Sequence, residues 1–173
     1  MLQEVKIYTD GASSGNPGPG GYGVVLLYQN HRKELSSGFK KTTNNRMELM
    51  AVIEGLKILK RKCKVIVYSD SKYIVDAIQK GWIYSWKKKD WMRNKKDIVL
   101  NSDLWKQLFE LLTFHEVKFV WIRGHNGDIE NERCDTLAVK ASQKENIPPD
   151  IGFEQNKLDK YPGLKDKIDL TDT

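Results

Sequence analysis

The stretch Val5-Lys6-Ile7-Tyr8-Thr9-Asp10-Gly11 constrains the fold most, because a short apolar run ends there on a carboxylate just before a glycine- and proline-rich segment. A run of this length and composition reads as a strand. As the central strand of an open sheet it delivers Asp10 to the carboxyl end, where α/β folds place ligands. Asp-Gly is also a common turn pair, so a turn aspartate stays open until other carboxylates are found to converge on the same place.

The following segment, Gly11 to Gly21, reads as an irregular wide connection. Its glycines would let backbone approach a ligand closely. No Gly-Lys-Ser/Thr follows, which excludes a phosphate-binding P-loop. Tyr22 to Tyr28 and Glu34 to Lys40 read as the next two strands, antiparallel because the turn holding His31 is short. His31 is expected to be a solvated polar residue. Met47, Met50, Ala51, Leu56 and Leu59 then give helical periodicity to about Lys60. Asn45 with Glu48 fits a capping box, with Asn45 at the N-cap. The functional alternative is that the helix's first turn presents Glu48 toward Asp10.

Lys64 to Ser69 is a second apolar strand. It follows a helix, so it is expected to pair in parallel with the first. It too ends on a carboxylate, Asp70, for which the helix N-cap is the competing reading. Two neighbouring parallel strands that both end in Asp bring like charges together, which is costly unless a cation shares them.

Charge is distributed unevenly. The whole chain of 173 residues carries +6, and the window Lys80 to Lys96 holds seven cations against the single Asp90. Trp82, Trp86 and Trp91 are interleaved with Lys87, Lys88, Lys89 and Arg93. A solvated helical face with core-facing tryptophans would explain this. A nucleic-acid platform explains it better, with lysines meeting phosphates and indoles packing on sugars or bases. Leu100 to Phe114 forms an amphipathic helix that brings Trp105 near the basic segment, and Val117 to Ile122 is the last strand. His125, between Gly124 and Gly127 in the next loop, is a candidate mobile proton carrier. Glu130 to Lys140 forms a helix with Cys134, Leu137 and Ala138 inward. On it Asp135 lies beside the buried stripe, a surface acid or a residue aimed at the sheet end.

From Glu145 onward four lysines face seven acids and the apolar rhythm fails. Residues 144–173 are therefore expected to be a polar, acidic C-terminal tail, partly disordered or loosely docked through Ile151 and Phe153. Residues 1–143 form the expected domain, with 80–96 as a basic protrusion. With 39% hydrophobic and 30% charged residues the chain suits a globular protein. No apolar run approaches the roughly 18 residues that span a membrane, the start has no signal-peptide pattern, and Cys63 and Cys134 lack metal-type spacing. The expected location is the cytoplasm, with both thiols reduced.

The inferred architecture is α/β, a five-stranded mixed sheet of order 3-2-1-4-5 flanked by helices. Asp10, Glu48, Asp70 and Asp135 converge on one sheet end. Oxygen donors without Cys or His partners suit Mg²⁺ or Mn²⁺ rather than zinc. Beside a phosphate-binding surface, they suggest two ions clamping an in-line phosphoryl displacement.

Tyr8-Thr9-Asp10-Gly11, the run Gly15 to Gly23, Thr42-Thr43-Asn44-Asn45-Arg46-Met47-Glu48-Leu49, Asp70-Ser71, Gly124-His125 and Asn131-Glu132-Arg133-Cys134-Asp135 resemble the bacterial type 1 ribonuclease H family, in register from Met1 to about Ala141. The resemblance implies a monomeric endonuclease that hydrolyses the RNA strand of RNA–DNA hybrids with two Mg²⁺ ions, leaving 5′-phosphate and 3′-hydroxyl ends. It implies that Asp10, Glu48, Asp70 and Asp135 are the metal ligands, and that His125 assists proton transfer or product release. Asn16, Thr43, Asn44 and Asn45 match hybrid contacts, and Gly11 matches a point where backbone meets RNA. Trp82, Trp86, Lys87, Lys88 and Lys89 match the protrusion that grips DNA. Gly81 looks like an extra residue, Lys72 stands where some relatives carry glutamine, and no separate N-terminal hybrid-binding module is expected. Two alternatives are a DNA nuclease or transposase-like enzyme on the same fold, and a non-catalytic hybrid-binding module.

Overall fold

The computed structural model describes the backbone of residues 1–160 and the side chains of residues 1–155. The expected stretch 161–173 of the tail lies outside the described residues. Five strands, β1 (Glu4–Ser13), β2 (Gly18–Tyr28), β3 (His31–Thr42), β4 (Lys64–Ser69) and β5 (Glu116–Trp121), form one sheet of order β3-β2-β1-β4-β5. This is the order read from the sequence. β1–β2 and β2–β3 are antiparallel, while β1–β4 and β4–β5 are parallel.

The helices are α1 (Asn44–Lys57), α2 (Lys72–Gln79), α3 (Trp82–Lys88), α4 (Ser102–Phe114), α5 (Ile129–Ser142) and α6 (Ile151–Lys160). Strand alternation on β2 separates two of them. Gly20 and Val24 lie against Met47 and Gly55 of α1, whereas Gly21 and Gly23 lie against Ala138 and Cys134 of α5. The sheet is therefore sandwiched, with α4 packing on α1. The core between them includes Ile7, Val24, Leu49, Ile53, Leu56, Val65, Val67, Ile74, Trp105 and Leu108, all fully buried.

Three local expectations change. The glycine-rich segment is not irregular throughout, because β1 continues to Ser13 and β2 begins at Gly18, with Ala12 opposite Gly21 and Ser13 opposite Gly20. Cross-strand pairing outweighs the weak strand propensity of glycine there. The N-cap of α1 is Thr43, extended, with its Oγ1 accepting from the Arg46 amide, so Asn45 lies inside the first turn and the capping box with Glu48 does not form. Asp70 is not a cap either, since Ser71 caps α2 by accepting from the Ile74 amide. Both corrections free a carboxylate from a structural role.

The start of the tail is docked. Asp150 is fully buried and Ile151 exposed, so an ion pair holds this segment rather than the expected Ile151 contact. His31 is exposed as expected, and Cys63 and Cys134 are buried free thiols.

Candidate active site

The β1–β4 register pairs Glu4 with Lys64 and runs to Tyr8 opposite Tyr68, whose rings stack 4.6 Å apart. Asp10 and Asp70 each lie two residues beyond that pair, so parallel pairing sets the two carboxylates side by side. Thr9 Oγ1 donates to the Tyr68 carbonyl at 3.4 Å, tying the strands at this end.

Glu48 arrives from α1. Its approach depends on Gly11, where a Cβ would collide with the Glu48 amide nitrogen and with Met47. Only glycine lets the helix sit this close to β1. Asp10, Glu48 and Asp70 then offer carboxylate oxygens that all lie within 4.8 Å of one another. Asp10 and Glu48 are buried, Asp70 is half-buried, and Glu48 Oε2 has no hydrogen-bond partner among the described residues.

The electrostatic consequence is large. Burial, followed by the charge of Asp70, pushes the Asp10 pKa up to about 7, although the Gly11 amide donates to Asp10 Oδ1 at 2.9 Å. Glu48 is raised well above the usual carboxylate range, first by burial and then by Asp10 and Asp70. Burial raises Asp70 as well, opposed by its own backbone amide and by nearby His125. Three carboxylates that cannot all ionise unaided fit a divalent cation, and their all-oxygen character fits a hard one.

Asp135 lies on α5, half-buried and outside the 4.8 Å group, but its charge raises both Asp10 and Asp70. His125 is exposed with a left-handed backbone, φ 54°. A Cβ on Gly124 would come 2.7 Å from Asp70 Oδ2, so the histidine loop packs directly on that carboxylate.

The expected substrate contacts form a network. Asn16 Oδ1 accepts from the Asn44 amide at 3.2 Å, and Asn44 Oδ1 accepts from the Ser13 amide at 2.8 Å and from Ser13 Oγ at 3.1 Å. This links the β1–β2 connection to the start of α1. Asn45 is exposed and Thr43 half-buried.

The basic segment divides by depth. Lys87, Lys88 and Lys89 are exposed, and Trp82 is 42% exposed with Lys80 Nζ 5.4 Å from its ring. Trp86 packs edge-on against Trp105, 5.1 Å between centroids, as the expected proximity of Trp105 requires. Trp91 is only 4% exposed and packs against Phe109, so it belongs to the core rather than to a surface platform. Trp121 was not legible as a site residue. Its Nε1 donates to the Asp70 carbonyl at 3.2 Å, and Lys72 Nζ lies 5.0 Å from its ring. A cavity of about 560 Å³ lies at the opposite end of β1, lined by Val5, Tyr28, Lys60 and Cys63 among others. None of the cluster carboxylates lines it.

The sequence model of the RNase H family matches residues 2–143. The chain belongs to the RNase H family. It is 61% identical over 150 residues to "Ribonuclease H" of Desulforamulus reducens, covering 87% of this chain and 94% of that one. Among solved structures it resembles LC9-RNase H1, described as a type 1 RNase H with the type 2 active-site motif. That match has a TM-score of 0.74 and 33% identity, covering 82% of this chain and 73% of that one. It also resembles LC11-RNase H1 solved in complex with RNA/DNA hybrid, with a TM-score of 0.60 and 28% identity, covering 79% and 95% of the two chains. Membership bears out the resemblance read from the sequence, and the protein is a ribonuclease H enzyme.

Proposed function

We propose that this ribonuclease H hydrolyses the RNA strand of RNA–DNA hybrids, with divalent cations held by Asp10, Glu48 and Asp70 and with Asp135 completing the ligand set. The observation that carries the reading is the carboxylate triad within 4.8 Å, two of its members buried, with Glu48 Oε2 unpartnered among the described residues. Mg²⁺, and alternatively Mn²⁺, suit its oxygen donors. The hybrid complex of LC11-RNase H1 supports the substrate assignment. When bound, two ions would supply the charge that stabilises attacking and leaving oxygens in an in-line displacement, leaving 5′-phosphate and 3′-hydroxyl ends.

The chain's own residues do the rest. Asp10 and Asp70, fixed by strand register, hold their oxygens in place before substrate arrives, so little reorganisation would accompany reaction. Asn16, Thr43, Asn44 and Asn45 present polar groups at the end of β1 and the start of α1, where 2′-hydroxyls distinguish RNA from DNA. Gly11 leaves room for the RNA backbone. His125, on a loop that abuts Asp70, takes up or returns a proton at its imidazole. Lys87, Lys88 and Lys89 neutralise phosphates of the DNA strand, with Trp82 and the half-buried Trp86 packing against it.

We also propose residues 1–143 as the catalytic domain, acting as a monomer in the cytoplasm. No helix among the described residues is long and apolar enough to cross a membrane. The test is cleavage of a labelled hybrid in EDTA and then in Mg²⁺, beside duplex DNA and duplex RNA of the same sequence. Mg²⁺-dependent cleavage confined to the RNA strand of the hybrid is expected. Equal cleavage of duplex DNA would establish the DNA-nuclease alternative instead, and hybrid binding without cleavage would establish a binding module.

A further inference from the structure

Two positions before Glu48 on the same helix, α1 carries a fully buried cation. Arg46 is 1% exposed and stands in the helix's first turn, which contains no acidic residue. A cation there opposes the helix dipole, so the negative charge must come from elsewhere in the fold. It comes from two other elements. Arg46 Nη1 and Nη2 donate to Asp103 of α4 at 2.9 and 2.7 Å. Arg46 Nε and Nη2 donate to Asp150 at 2.8 and 3.1 Å. Nη1 also donates to Asn101 Oδ1 at 3.3 Å. These bonds occupy all of the guanidinium's donors, the number that only arginine offers.

Asp150 is equally saturated. Besides Arg46, its Oδ2 accepts from Thr42 Oγ1 at 2.7 Å and its Oδ1 accepts from the Phe153 amide at 3.1 Å. Thr42 ends β3 and directly precedes the α1 N-cap, so this carboxylate grips both sides of the junction from which the first turn of α1 starts. The Lys40 amide donates to the Pro148 carbonyl at 2.9 Å, which seats the same segment on β3. At Gly152 a Cβ would collide with Asp103 Oδ2 and Arg46 Nη2, so α6 begins in contact with the ion cluster. Asp150 lies beyond residue 143, where the family match ends.

We propose that Asp150 is a positioning residue for the active site: acting through Arg46 and Thr42, it fixes the first turn of α1 and thereby the placement of Glu48, Asn44 and Asn45. This rests on Glu48 being a cation ligand. The C-terminal segment is then part of the catalytic machinery's support, since misplacing a reacting group by a fraction of its contact distance costs rate without removing any ligand.

The experiment compares the full chain with Asp150→Ala. Three quantities are read: Mg²⁺ binding to the protein alone by calorimetry, kcat and KM for hybrid cleavage across an Mg²⁺ titration, and hydrogen exchange of amides 44–48. For Asp150→Ala, kcat at saturating hybrid should fall about tenfold, the Mg²⁺ Kd should rise about threefold, and KM should stay within about twofold, with faster exchange in the first turn of α1. A purely structural role would lower only the active fraction, leaving the Mg²⁺ Kd of the folded protein and the local exchange unchanged. That result overturns the proposal.

If Asp150→Ala does not stay folded at the assay temperature, Gly152→Ala decides by the same thresholds. It keeps every charge and disturbs the same junction from a helical position. A parent protein that binds Mg²⁺ but does not cleave hybrid would sink the functional reading, and the calorimetric and exchange arms would still decide the positioning role.

Discussion

Two clusters of buried charge lie two residues apart on α1, and they are opposites. Around Arg46 one guanidinium meets Asp103 and Asp150 with its donors occupied. Around Glu48 the carboxylates of Asp10 and Asp70 converge, and one Glu48 oxygen has no hydrogen-bond partner among the described residues. The first cluster is complete and anchors the first turn of α1. The second is incomplete, and on the proposed reading a divalent cation supplies its missing charge. Burial alone does not distinguish the two clusters; satisfaction of the buried groups does.

The largest expected effect lies in the incomplete cluster. Asp10→Asn should lower Mg²⁺-dependent hybrid cleavage by about a thousandfold or more while hybrid binding, measured by anisotropy in Ca²⁺ or EDTA, changes little. Retained cleavage would remove the distinction between the clusters. Arg46→Met should act on stability, costing about 3–5 kcal/mol in urea unfolding, because it strands two carboxylates that are otherwise paired. A loss below about 1 kcal/mol would show that the complete cluster is dispensable.

Acid–base behaviour sharpens the contrast. Asp10 titrates at about 7 in the metal-free fold, through burial and then Asp70, against about 4 in an unfolded chain. Between those values the folded state holds a proton that the unfolded state has lost. The stabilisation from this group is therefore full below about pH 4 and is lost as pH rises through about 7. Thermal unfolding in EDTA should show this cluster lowering the midpoint across that window, and Asp10→Asn should flatten the trend. Saturating Mg²⁺ should stabilise increasingly as pH rises, since ligands bind it deprotonated. A midpoint gain from Mg²⁺ that shrinks with rising pH would contradict the assignment. The smallest effect is expected outside both clusters: replacing Lys87, Lys88 and Lys89 by Ala should reduce the salt slope of hybrid affinity by up to about 2–3.

Much of the incomplete cluster could be read from the sequence because its logic is local. Asp10 and Asp70 each terminate an apolar run, and the helix between those runs implies parallel pairing. The complete cluster could not be read, because Arg46 and Asp150 are 104 residues apart and Asp150 sits in a polar stretch without periodicity. Trp91 shows the same limit, since an indole on Phe109 and an indole facing solvent have the same sequence context. Glycine misled in one place. At Gly18–Gly21 it signals a loop by propensity, but the ladder of β2 extends through it, and its lack of a side chain is what lets α1 and α5 approach the strand. At the start of α1, Thr43 and Asn45 are both good caps, and only backbone direction chose Thr43.

The continuous β1–β4 ladder also sets where the chain can change length. Asp10 and Asp70 are aligned by counting from a shared register, Glu4 with Lys64 through Tyr8 with Tyr68. Deleting one residue between Lys6 and Tyr8 would turn the Asp10 carboxylate to the opposite side of the sheet. A residue gained or lost in the turn between β2 and β3 would leave both aspartates where they are. Insertions and deletions in descendants of this sequence should therefore accumulate at that turn and beyond α6, and be purged from two short strands.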